Sequence, residues 1–190
     1  PPASSLTSGQ FVGAPRGTWL PSTVELPKSA VYPESISVGG RVVRVPAPRG
    51  LQSAIDNAQD GDILELTPGA AYEGPIVLKA RGSAADFVTI RTAPAPGQPP
   101  AGSRITPANQ ASLARIVGPT DKTPVLATQD GAAGYVLRLL EIAANPVLTS
   151  GGTLVALGTS TQTSLAQMPR NLVLDRVYVH GTAMLGFQRC

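Results

Sequence analysis

The sequence predicts a mostly β protein of many short strands, and three observations carry that expectation. Turn formers are abundant, with 20 Gly and 19 Pro in 190 residues, against a usual combined share of roughly 12%, so long helices are not expected. Hydrophobic content is nevertheless 42%, whereas disordered chains combine low hydrophobicity with high net charge. The apolar residues also gather in short runs rich in Val, Leu, Ile and Thr that stop at Pro or Gly, which is the pattern of strands between turns.

Residues 1–37 read as an irregular leader. Pro1, Pro2, Pro15, Pro21, Pro27 and Pro33 lack the amide donor that a ladder or helix interior requires. Trp19, within Thr18-Trp19-Leu20, reads as a packing anchor because an aromatic ring buries a large apolar area. The run Arg41-Val42-Val43-Arg44-Val45 predicts a strand closed by Pro46 and Pro48. Leu51, Ala54, Ile55 and Ala58 then recur at i, i+3, i+4 and i+7, the spacing of one helical face. Asp60-Gly61 supplies turn chemistry, and Asp62-Ile63-Leu64-Glu65-Leu66 is a strand stopped by Pro68-Gly69.

Strands are predicted at 75–79 and 86–91, followed by a Pro/Gly loop at 93–103. Shorter runs follow at Arg104-Ile105-Thr106, Ala114-Arg115-Ile116-Val117 and Val125-Leu126-Ala127. The last strands are predicted at 135–142, 153–157 and 172–179. Two spacings suggest repetition: Ile63 to Val88 spans 25 residues, and Leu137 through Ile142 aligns with Leu174 through Val179 at a separation of 37. Both lie in the ~20–50 residue range of solenoids.

The run from Gly50 through Gly69, GLQSAIDNAQDGDILELTPG, resembles the entry to right-handed parallel β-helix proteins of the pectate-lyase-like superfamily. In that family a short amphipathic helix caps the open end, followed by a Gly-Asp turn and a first strand ending near Pro-Gly. Tyr72-Glu73-Gly74 continues the pattern, Val88-Thr89-Ile90-Arg91 looks like the strand of the following coil, and Leu174 through Gly181 looks like a rung and its turn. The resemblance covers about residues 38–190. It implies an all-β right-handed parallel β-helix with an N-terminal capping helix, and a helix packed on an ordinary β-sandwich is the alternative. The physics agrees, because an open solenoid end exposes ladder groups and apolar side chains and needs a cap. No cap is visible around Phe187-Gln188-Arg189-Cys190, so a segment truncated at its C-terminus is expected, with the family's catalytic residues beyond Cys190.

Several function classes are disfavoured. The net charge is only +3, and the basic residues are spread along the chain rather than clustered as in nucleic-acid binders. No apolar run approaches the ~20 residues of a membrane span. The only cysteine is Cys190, so no internal disulfide is expected. One His and one Cys do not suggest a four-ligand zinc site, and Asp60 and Asp62, the nearest thing to a carboxylate pair for calcium, read as turn residues. No cofactor is expected in this segment, although the resemblance leaves calcium possible in the full-length protein.

The best constellation is Asp175, Arg176, Tyr178 and His180. On a regular strand Arg176, Tyr178 and His180 share one face, with Val177 and Val179 on the other. A row of cation, phenol and imidazole suits an anionic sugar chain, and an ordinary solvated face is the competing reading. The resemblance implies a secreted or cell-surface protein acting on acidic polysaccharide in a lyase-like manner. Alternatives are a non-catalytic adhesion or structural module, and self-association through an uncapped solenoid end.

Overall fold

The computed structural model describes residues 40–81, 86–148 and 151–182, all within the unit Tyr32–Cys190. The expectations for the 1–37 leader, for Trp19 and for Phe187 to Cys190 lie outside these residues. The helical spacing gives α1 (Gly50–Asp56). Leu51 and Ile55 are buried, and Ala54 and Ala58 pack on the same core. Gly61 makes the expected turn with φ 84°, and its carbonyl fills the space a Cβ on Gly40 would need.

The strands are β1 (Val42–Arg44), β2 (Ile63–Leu66), β3 (Ala71–Glu73), β4 (Ile76–Leu78) and β5 (Val88–Thr92). They continue with β6 (Ala114–Val117), β7 (Leu126–Thr128), β8 (Ala133–Ala143), β9 (Val155–Ala156) and β10 (Arg170–His180). Every ladder between these strands is parallel. The first runs β1-β2-β5-β8-β10. The second runs β3-β6-β8 and continues to β10, and the third runs β4-β7-β9. The chain therefore visits the three ladders in the same order on successive passes: a solenoid-like, all-β stack of parallel strands.

The first two ladders share β8 and β10 because each of these strands bends without breaking. Leu139 (φ 55°) and Arg176 (φ 51°) sit at the bends, between the register pairs Arg138↔Asp175 and Leu140↔Val177. A single left-handed residue turns the chain while leaving the flanking ladder bonds intact. A second bend stacks Gly134 (φ 74°) with Asn171 (φ 53°), the two residue types that tolerate this region best.

Parallel register makes the core from columns of like residues. Val43, Leu64, Ile90 and Leu137 form one, continued in register by Leu174, which is exposed; Tyr72, Ile116, Ile142 and Val179 form another. The third ladder contributes Ile76, Leu126 and Val155. Buried Tyr72 also satisfies its hydroxyl, donating to the Val45 carbonyl at 3.0 Å and accepting from Thr67 N–H at 3.0 Å.

The structure sharpens two sequence expectations and overturns one. The 37-residue alignment is the observed register, Leu137↔Leu174, whereas the 25-residue spacing falls one short, because Ile63 pairs with Thr89. Arg104-Ile105-Thr106 is not a strand. It leads into a 3-10 helix (Pro107–Ser112), and Thr106 N–H donates to the Asn109 side chain at 3.0 Å instead of to a ladder.

The start of the stack shows why a cap is needed. β1 covers the edge of β2, and the Pro48 carbonyl accepts from Glu73 N–H at 2.8 Å on the second ladder. On the third ladder a side chain takes the place of a strand. Gln52 of α1 accepts from Val77 N–H at 2.8 Å and donates to the Val77 carbonyl at 3.2 Å, so β4 loses neither backbone bond at its edge. Gln52→Leu is therefore expected to lower stability by about 2 kcal/mol, while the exposed neighbour Ser53→Ala stays within about 0.5 kcal/mol. Urea unfolding of the two variants checks this, and equal midpoints would remove Gln52 from the cap.

Candidate functional site

The two bends divide the polar, outward-facing side chains into two groups. On the first ladder the register stacks Arg44, Glu65, Arg91, Arg138 and Asp175 in one column. Neighbouring strands lie about 4.8 Å apart, so Arg91 directly beside Arg138 is an unfavourable pairing of like charges. Each arginine leans toward a carboxylate on its other side. Arg91 Nη2 donates to Glu65 Oε1 at 3.0 Å, and Arg138 Nε lies 2.7 Å from Asp175 Oδ2.

Arg176 joins this first group. Its Nε and Nη2 donate to the two Asp175 oxygens at 3.0 and 2.9 Å, and its Nη1 donates to the Pro99 carbonyl at 2.9 Å. The expectation that Arg176 shares a face with Tyr178 and His180 is thus corrected. The left-handed φ at Arg176 breaks the two-residue alternation, and the guanidinium closes over Asp175 instead. Burial alone raises the Asp175 carboxyl, but the hydrogen bonds and charges of Arg176 and Arg138 outweigh it and hold it below the usual range.

Past the bend, the second ladder stacks Arg115, Glu141 and Tyr178 in register, with His180 two residues on. Glu141 is the organising group, with its side chain only 1% exposed. Its Oε1 accepts from Gln110 Nε2 at 3.1 Å and lies 2.7 Å from His180 Nε2 and 3.0 Å from Arg115 Nε. Its Oε2 is buried without a hydrogen bond. The Tyr178 and His180 rings stack at 4.5 Å, and His180 Nδ1 lies 2.8 Å from the Gly181 carbonyl. Val177 and Val179 pack toward the core as expected. Tyr178 and His180 are therefore brought together, and Arg115, still 45% exposed at its side chain, supplies the cation beside them.

Sequence reasoning missed Arg115, Gln110 and Glu141. The 37-residue alignment contained one signal, since it sets Glu141 against Tyr178. Arg115 and Gln110 carried none, because their placement depends on the loop ahead of β6. Asp62 and Asp60 have structural partners: Asp62 accepts from Gln59 N–H at 2.9 Å and from Arg41 Nη2 at 2.7 Å, and Asp60 pairs with Arg81. Among the described residues, no three carboxylate, imidazole or thiol groups converge as metal ligands, and no helix is long and apolar enough to cross a membrane.

No family model matches the chain, and no curated protein matches it. Among solved structures it is similar to an alginate lyase from Paenibacillus sp. str. FPU-7, with 22% identity and a TM-score of 0.40 over 62% of this chain and 35% of that one. The chain thus spans about a third of that lyase's length.

Asp175 has a measurable signature. A carboxyl depressed in the folded state contributes stability that is present above its unfolded pKa of about 3.9 and is lost as pH falls through the folded value. Stability is thus expected to decline from about pH 5 downward, and Asp175→Asn, which cannot ionise, to decline less steeply. At neutral pH the variant loses roughly 3 kcal/mol, because two guanidinium groups keep no anion between them. Urea unfolding across pH checks both, and an unchanged acid slope would contradict the assignment.

Proposed function

We propose that this chain is the N-terminal part of a right-handed parallel β-helix protein, lyase-like in kind, whose outer corner binds an acidic polysaccharide. The observation that carries the reading is the cluster on buried Glu141. One carboxylate fixes Arg115 and His180, and Tyr178 is fixed in turn by stacking on the imidazole. A held guanidinium recognises a uronate carboxylate well, and an aromatic face beside it suits a sugar ring. A secreted or cell-surface setting belongs with this reading, as does calcium in a longer form of the protein.

One observation favours the non-catalytic alternative at this corner. Both His180 ring nitrogens are engaged, by Glu141 and by the Gly181 carbonyl, so neither is presented outward to take a substrate proton. The corner is therefore assigned binding, and any elimination chemistry to residues other than His180.

Titration calorimetry against alginate, polygalacturonate and a neutral glucan tests the proposal. Binding is expected for a uronate polymer and not for the glucan, to weaken with added salt, and to fall about tenfold in Arg115→Ala through loss of a charge-assisted contact. Absorbance of unsaturated product, followed alongside, separates a lyase from an adhesion module. Binding to none of the polymers would overturn the proposal.

A further inference from the structure

We propose that the segment 93–113 is an insertion into one corner of the stack that selects among acidic glycans through Gln110, an inference that rests on the glycan-binding reading above. The register shows the insertion. Leu139 alone separates Arg138, paired with Arg91, from Leu140, paired with Ala114, yet the rung below uses the whole run 92–113 to cover the same step. The next rung again uses one residue, Arg176.

The ends of the insertion are tied to each other, so the ladders do not need its interior. Thr92 Oγ1 accepts from Ala114 N–H at 2.9 Å and donates to the Leu139 carbonyl. Gln98 bridges both ends as well, donating to the Ala93 carbonyl at 2.8 Å and the Ser112 carbonyl at 3.1 Å. A surface segment closed on itself in this way and carried on a rigid scaffold is where binding specificity commonly resides.

Its contacts fall on both polar groups of the corner. The Pro99 carbonyl takes Arg176 on one side of the bend. On the other side Gln110 Nε2 donates to Glu141 and lies 3.5 Å from His180 Nε2. Gln110 thus competes with His180 and Arg115 for a single carboxylate oxygen, and how that oxygen is shared sets where the imidazole and guanidinium stand. Gln110 is a positioning residue, and its effect on a glycan is exerted through His180 and Arg115.

The test uses the full chain, Gln110→Leu, and a second variant in which 94–112 is replaced by Gly-Gly. His180 is the only histidine in the sequence, so its ring ¹⁵N signals are unambiguous. In ligand-free Gln110→Leu these signals are expected to move, with the thermal midpoint little changed. The ratio of affinities for alginate and polygalacturonate is expected to change about fivefold, the equivalent of one hydrogen bond, and the Gly-Gly variant to fold and lose selectivity likewise. Unmoved His180 signals, or an unchanged affinity ratio in a wild type that binds, would overturn the proposal. A wild type that binds neither polymer defeats the glycan reading separately, and the ligand-free His180 signals then decide whether Gln110 positions the ring.

Discussion

Two strands that bend without breaking, at Leu139 and at Arg176, place most of what matters in this structure. At Leu139 and, one rung later, at Arg176 the backbone takes a left-handed conformation, which is uncommon for side chains of this size and typically costs 1–3 kcal/mol. The flanking register pairs, Arg138↔Asp175 before the bend and Leu140↔Val177 after it, compensate by keeping the ladder bonded on both sides. Because the bends stack, the outward side chains before them form one cluster around Asp175 and those after them another around Glu141. Without the bend, strict alternation would put Arg176, Tyr178 and His180 on one face.

Both clusters are built on a buried carboxylate, and they differ in what is left exposed. Asp175 is closed off by Arg138 and Arg176, whose side chains are 13% and 12% exposed. That group works as a fastening between β8 and β10, and its energy depends on the pairing being complete. Glu141 instead holds a cation that still faces solvent, together with a stacked phenol and imidazole. The same physics that makes one cluster a structural lock makes the other a presented surface, and the difference lies in the exposure of Arg115.

Much of the fold was legible in the sequence because it rests on local signals. The cap helix followed from the spacing of Leu51, Ala54, Ile55 and Ala58, and the stacking of β8 on β10 followed from a 37-residue self-alignment that the structure reproduces. What escaped notice depends on non-local geometry. A left-handed residue such as Arg176 leaves no mark in an apolar–polar pattern, since Gly or Asn would have flagged it and Arg does not. The strand at Ala71–Glu73 was not predicted, being too short to alternate convincingly. Gln110 and Arg115 join the corner only once the run 93–113 is known to be an insertion, and Gln52 mimics a strand edge through a side-chain amide that no periodicity reveals.

We propose that Glu141 organises a surface that receives an acidic sugar chain. A crystal structure of the protein soaked with a uronate oligosaccharide tests it most directly. The expected result is a uronate carboxylate within hydrogen-bond distance of the Arg115 guanidinium, with a sugar ring against Tyr178 and the Glu141–His180 contact retained. An oligosaccharide seated elsewhere on the stack, with no uronate at Arg115 and no sugar at Tyr178, would contradict it.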